Sequence, residues 1–413
     1  MEPTRSPMAM EAEVVPGRGP TTAILGLGLV LGMSTWFSAS AVIPQLRPLW
    51  GLSDATAAWL TIAVQLGFVT GALLASASNL PDLLPARTAM LVGATGAAAA
   101  NAYLLVADGA GGAIPARFAT GFFLAGVYPP SFKLMATWTQ RGRGTALGLL
   151  AGGIAVGSAL PHLVNGLGGL DWRMVVWVTS VLTLAGGVMV FTLVREGPFP
   201  FPRPTFDPRQ VGRVFTNRGV RLASFGYFGH MWELFAMWAW IGAFLSARSE
   251  EVGDLTSGSA ALATAGIVAI GFGGCWLGGV LGDRWGRTKT TAVMMGLSGA
   301  CALTIGLLFE APLWLLLIVG SIWGFTVIAD SAQFSTMVTE LADQAYVGTA
   351  LTLQLAVGFS LTVATIWLVP ELETALGWRW AFALLTPGPV LGVIAMLRLR
   401  SLPEAERIAH GRG

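Results

Sequence analysis

The chain has 413 residues, of which 54% are hydrophobic and only 11% charged, with a formal net charge of +2. A soluble domain carries roughly 25% charged residues, so a large soluble protein is excluded, and so small a net charge offers no footing for nucleic acid. The charges fall in short clusters between apolar runs of about 20 residues, the length that crosses a bilayer, so most of the surface is expected to face lipid.

The first residues, with Glu2, Glu11, Glu13, Pro16 and Pro20, lack the basic start and apolar middle of a cleaved signal. Residues 1–20 therefore read as a cytoplasmic tail. Apolar helical segments are predicted at about 21–45, 55–79, 87–107, 112–138, 144–168, 172–195, 219–246, 256–282, 290–310, 312–339, 346–369 and 378–398. The expected architecture is an all-α membrane protein of twelve transmembrane helices in two pseudo-symmetric six-helix bundles, 21–195 and 219–398. A proline-rich linker, 196–218, joins them, and 399–413 forms a second tail. With both termini inside, eighteen Lys and Arg fall on the cytoplasmic side and five, Arg47, Arg117, Arg173, Arg248 and Arg379, on the outer side, with Lys133 unassigned. That imbalance places both termini in the cytoplasm of a multi-pass inner-membrane protein. Cys275 and Cys301 lie inside apolar runs, which argues against a disulfide framework or a thiolate metal site.

In chain order, the first segment offers Ser34, Trp36, Phe37, Ser38 and Ser40, and the second offers Gln65, a mixture that suits either an amphipathic cavity or polar helix packing. In the fourth, Arg117, Gly121, Tyr128 and Ser131 share one side at 100° per residue. An intramembrane arginine must face protein or water, so Arg117 either snorkels at the outer end or serves a substrate or proton. Within the linker, Asp207 followed by Pro208 predicts the start of a short helix lying on the inner leaflet. The seventh segment carries Tyr227, His230, Glu233 and Met237 on one face, and the tenth carries Trp323, Thr326, Asp330, Gln333 and Met337 as a second stripe. Glu233 and Asp330 are the acids set deepest in apolar sequence. They suit reversible protonation or a fixed structural bond, and His230 either titrates or bonds a neighbouring helix.

The halves repeat. Gly144-Thr145-Ala146-Leu147 recurs as Gly348-Thr349-Ala350-Leu351, and Leu170-Asp171-Trp172-Arg173 recurs as Leu376-Gly377-Trp378-Arg379, at offsets of 348 − 144 = 204 and 376 − 170 = 206. Near-equal offsets point to an internal duplication, a common build of secondary transporters with a midplane site.

The most specific motif runs from Gly279 through Asp283, Arg284, Gly286 and Arg287 to Lys289 between the eighth and ninth segments. It resembles the signature loop G-x-x-x-D-R-x-G-R-[RK] of the major facilitator superfamily, departing at Thr288. The fourth segment's Arg117-x-x-x-Gly121 is similar to that family's pattern at the same place. The W-F-S-A-S opening and Tyr128-Pro129-Pro130 resemble its nitrate and cyanate porter branch, although no arginine stands in the second helix to hold nitrate. The fifth helix lacks the G-P-x-x-G-G element of the antiporter branch, which weakens drug-proton antiport. The resemblance implies alternating access, a central cavity lined by helices one, four, seven and ten, and a cytoplasmic latch at Gly279–Lys289. The expected partners are a small-molecule substrate, a co-transported proton and the lipid bilayer, and the expected state is a monomer. With no P-loop and no clustered metal ligands, no cofactor and no enzymatic activity are expected. A uniporter and a non-transporting membrane scaffold of the same fold are the alternatives.

Overall fold

The structure, a computed structural model, describes residues 18–78, 84–139, 143–169, 171–199, 209, 214, 216–343, 346–409 and 411–413. These residues form helices and connecting turns with no strand. The start of the surface helix expected from Asp207 onward lies outside the described residues.

Twelve spans follow one another: α1 (Arg18–Thr35 continued by Ser40–Trp50), α2 (Asp54–Ala77), α3 (Ala86–Leu105), α4 (Ala110–Leu124 continued by Tyr128–Trp138), α5 (Arg143–Leu167), α6 (Trp172–Leu193), α7 (Arg218–Glu251), α8 (Ser257–Trp285), α9 (Arg287–Leu308), α10 (Leu313–Leu341), α11 (Val347–Leu376) and α12 (Trp378–Arg400). Among the described residues, nine helices are long and apolar enough to cross a bilayer, and α1, bent by 50°, makes a tenth. The two that fall short of that measure are α4 and α7, which carry Arg117 with Lys133 and His230 with Glu233. Their polarity marks them as spans that face protein rather than lipid.

Several spans are broken where the sequence predicted single runs. In α4 the chain leaves the helix at Ala125–Val127, just before Pro129 and Pro130, whose missing N–H groups cannot continue the ladder. In α1, 3₁₀ turns and bends occupy Met33–Val42, ahead of Pro44. In α10, Ala329, Ser331 and Gln333 donate to the carbonyls three residues back, those of Thr326, Ile328 and Asp330. These breaks lie at mid-depth, where irregular backbone survives only if protein or a cavity receives it.

Glycine sets the packing within each half. A Cβ at Gly121 would lie 2.0 Å from the Val64 carbonyl oxygen of α2, and one at Gly324 would lie 1.7 Å from that of Ile267 in α8. Thus α2–α4 and α8–α10 are matching contacts in the two halves, possible only for a residue without a side chain. The halves meet along α5–α8 and α2–α11. Gly148 and Gly152 of α5 abut Cys275 and Phe272 of α8, Gly166 abuts Leu262 towards the other end, and Ser76 of α2 lies 3.5 Å from Thr352 of α11.

Candidate functional site

A narrow cavity sits between the halves. Its wall is drawn from α1 (Met33, Trp36), α4 (Tyr128), α5 (Ala151, Ile154), α7 (Tyr227, Met231, Leu234, Phe235, Trp238), α10 (Ile328, Ser331) and α11 (Phe359). Three of the predicted site residues, Trp36, Tyr128 and Tyr227, line it. Trp36 lies at the α1 break, Tyr128 immediately after the α4 break, and Ile328 and Ser331 at the α10 break, so the interrupted backbone aims these side chains inward. Aromatic rings close the centre: Trp36 packs on Phe68, Phe235 and Phe359 with centroids 5.0 to 5.8 Å apart, and Phe235 packs on Trp238 at 5.7 Å. The sequence reading missed Phe235, Trp238 and Phe359, because an aromatic residue in an apolar helix looks the same whether it meets lipid or a cavity.

Directly behind this wall, His230 Nδ1 of α7 lies 2.8 Å from Asp330 Oδ1 of α10, with both side chains no more than 2% exposed. This is ion-pair distance without hydrogen-bond alignment, since that Asp330 oxygen and His230 Nε2 lack hydrogen-bond partners among the described residues. The rings of Tyr227 and Phe334 flank the imidazole at 6.0 and 5.6 Å. Glu233 turns elsewhere. Its Oε1 accepts from Ser298 Oγ of α9 and Trp323 Nε1 of α10, each at 2.7 Å, inside the second bundle. The expected stripe on α7 therefore divides, with Tyr227 on the cavity, His230 behind it and Glu233 deeper within its own half.

Arg117 neither snorkels nor reaches the cavity. It is fully buried, and its guanidinium donates to the carbonyls of Leu60, Thr35 and Trp36, to Ser38 Oγ and to Asn101 Oδ1. It thereby supplies donors to carbonyls at the α1 break. Asn101 of α3, unnoticed in its alanine-rich run, ties this cluster to α6 through Val176, Thr179 and Ser180. Gln65 of α2 is buried, and neither end of its amide has a partner among the described residues.

The signature loop forms a third cluster. Gly286 takes φ 94° between α8 and α9, a conformation suited to glycine, and Gly279 is buried about two turns earlier. Arg287 meets Glu340 of α10 at 3.0 Å, donates to Gln333 Oε1 at 2.8 Å and stands 3.4 Å from Asp283. Gln333 in turn donates to the Gly278 carbonyl, so it belongs with this loop and not with the cavity. Arg284 is exposed. Residues of the C-terminal segment close over the loop, with Arg412 donating to the Asp283 carbonyl and the Gly413 carbonyl accepting from Thr288 N–H.

The fold has solved relatives. It is similar to the D-xylose-proton symporter, with a TM-score of 0.72 and 15% identity over 94% of this chain and 98% of that one. It is also similar to a bacterial homolog of the human lysosomal transporter Spinster, inward-facing and unoccupied, with a TM-score of 0.64 and 15% identity over 93% and 95% of the two chains. No curated relative matches the sequence. The sequence profile of the Major Facilitator Superfamily matches residues 24–364. With that match over most of the chain, a cavity between two six-helix halves and the loop from Gly279 to Lys289, the chain belongs to the Major Facilitator Superfamily.

Proposed function

We propose that the chain is a secondary transporter that moves a small solute by alternating access and couples it to a proton, with the His230–Asp330 pair as the group that takes up and releases that proton. The observation that carries this reading is an ionisable pair buried between α7 and α10, one side chain behind the cavity wall. Burying two such groups in a membrane helix bundle is costly unless they serve each other or a moving charge. The pair can exist as carboxylate with imidazolium or in a form with one proton fewer, and it joins two helices of the second half. A change in its charge therefore alters how α7 and α10 hold together next to the solute. The likeness to a proton symporter supports the reading. Glu233 is proposed as a second acid of the same pathway, Gln65, Trp36, Tyr128 and Tyr227 as the frame around the solute, and Arg117 as the group that holds the α1 break on which Trp36 sits. Asp283, Arg284 and Arg287 are proposed to gate the cytoplasmic face, with Gln333 anchoring that gate. Both termini are proposed to lie on the cytoplasmic side of a cell inner membrane.

The test needs no substrate. Spin labels at Ser76→Cys and Thr352→Cys, which face each other across α2 and α11, report opening on the face that carries the signature loop. In liposomes the distance between them is expected to shift when pH is changed, and Asp330→Asn is expected to abolish the shift while the protein still inserts. A distance that responds to pH identically with Asp330→Asn and with His230→Gln would remove the pair from coupling. The uniporter would then be the remaining reading.

A further inference from the structure

The four fully buried tryptophans divide in a way the fold alone does not require. Trp240 donates its indole N–H to the Ile366 carbonyl at 2.9 Å, and Trp323 donates to Glu233 at 2.7 Å. Neither lines the cavity. Trp36 and Trp238 do line it, and the indole N–H of each is buried without a hydrogen-bond partner among the described residues. An indole N–H can only donate, and a buried donor left unmade is destabilising. Two such donors on one cavity wall mark where a ligand's acceptor atoms belong. Gln65 adds to them. It lies on the face of α2 that carries Thr61 and Phe68, positions i−4 and i+3. Thr61 bonds Ser40 of α1, and Phe68 packs on Trp36, so the unpartnered amide sits on the face turned towards α1.

We propose that this cavity takes an uncharged solute with an apolar, largely aromatic body and hydrogen-bond acceptor atoms, the acceptors meeting the N–H groups of Trp36 and Trp238. The proposal rests on the transport reading above and narrows it to a substrate class. Charge is disfavoured by the wall itself, since no Asp, Glu, Lys or Arg is among its described lining residues. The buried Arg117 turns its guanidinium to five protein acceptors and is not among the residues that line the cavity. Of the acids nearby, Asp330 is held by His230 and Glu233 by Ser298 and Trp323, so a cation would find rings but no carboxylate committed to it. The polar atoms of the wall are the hydroxyls of Tyr128, Tyr227 and Ser331 and the two indole N–H groups; the other lining residues are apolar, which favours an apolar body over a polyol whose every hydroxyl needs a partner. Two methionines among the rings give the wall an adaptable surface for an aromatic body.

Four diphenyl probes of similar size separate the possibilities: benzophenone (neutral, with an acceptor), diphenylmethane (neutral, without one), diphenylacetate (anion) and benzhydrylammonium (cation). Their affinities are measured by calorimetry on the purified full chain. Benzophenone is expected to bind tightest, about tenfold above diphenylmethane for the hydrogen bonds it gains. Trp36→Phe and Trp238→Phe, singly and together, keep an aromatic ring but no N–H donor and should erase that preference, bringing benzophenone and diphenylmethane to equal affinity. Trp240→Phe, outside the cavity, should leave the order intact. Tightest binding by either charged probe, an unaltered benzophenone preference in the variants, or no binding by any probe overturns the substrate class. The Ser76–Thr352 distance separates the two readings. Probe order as expected with a fixed distance keeps the site and loses transport, whereas a mobile distance with a reversed order keeps transport and loses the substrate class.

Discussion

Arg117 is a buried cation satisfied by five neutral acceptors, four of them carbonyl oxygens; its removal would take the donor from the Trp36 carbonyl and leave the Thr35 carbonyl and Asn101 Oδ1 only their bonds from Ser38. Arg117→Leu is therefore expected to lower stability by roughly 3 kcal/mol, measured by denaturant unfolding in detergent, and an unchanged midpoint would show that the cluster contributes nothing. A second arginine works at the end of α7. Arg248, 1% exposed, pairs with Asp254 and donates to the carbonyls of Leu308, Phe309 and Ala311. The hydrogen bond from Arg248, then its charge, holds the Asp254 carboxyl below its ordinary 3.8. A depressed folded-state value stabilises the protein above the unfolded value and is lost as pH falls through the folded one. The contribution is thus complete at neutral pH and disappears on the acid side of about pH 4. With Asp254 about a third exposed, Asp254→Asn should cost under about 1 kcal/mol at pH 7 and nothing once both forms are neutral. A constant penalty down to pH 2 would refute this assignment. Sequence reading found the ionisable residues at this scale but not their partners. Nothing in the sequence joins Glu340 to Arg287 or Asn101 to Arg117. Partners lie on other helices, and helical spacing reports only a residue's own face.

The elements themselves were legible, because apolar runs near bilayer length and the repeated tetrapeptides both follow from physics written along one helix at a time. The helix starts follow the repeat: α5 and α11 begin at Arg143 and Val347, and α6 and α12 at Trp172 and Trp378. The breaks were less legible. Pro129 with Pro130 and Pro44 announce two of them, but α10 breaks without a proline. Its Asp330 therefore read as one member of a continuous stripe. Glycine, at 54 residues, suits close helix packing without saying which helix is approached. Along α5 a Cβ at Gly152 would lie 2.9 to 3.1 Å from Phe272 of α8. Gly152→Leu should therefore prise the seam apart at an overpacking cost of about 1 to 3 kcal/mol, enough to shift the balance between closed and open arrangements about tenfold. The same spin-label pair reads this out, with Gly266→Leu as the control because nothing lies within 4 Å of that position. Equal distance distributions in the two variants would mean that the seam does not move.

Across the whole molecule, the twelve-span count puts the 196–218 linker on the same side as both termini. A Thr205→Cys variant should resist an impermeant thiol reagent in intact cells and react in inverted vesicles, and labelling from outside would contradict the orientation. The bend in α1 bears on how the protein is made. The ribosome delivers α1 first, yet the carbonyls of Thr35 and Trp36 receive the Arg117 guanidinium only after some eighty more residues have followed. Ser38 of α1 itself already donates to the Thr35 carbonyl, but until then the Trp36 carbonyl lacks its donor, at several kcal/mol in hydrocarbon, so the final bent form of α1 is completed only when α4 arrives. The nascent helix must wait, straight or shielded by the insertion machinery, until α4 arrives to release it. A chain stalled after Leu105 should leave a Ser38→Cys thiol reactive, and one stalled after Trp138 should protect it; equal reactivity at both lengths would mean that α1 completes itself unaided.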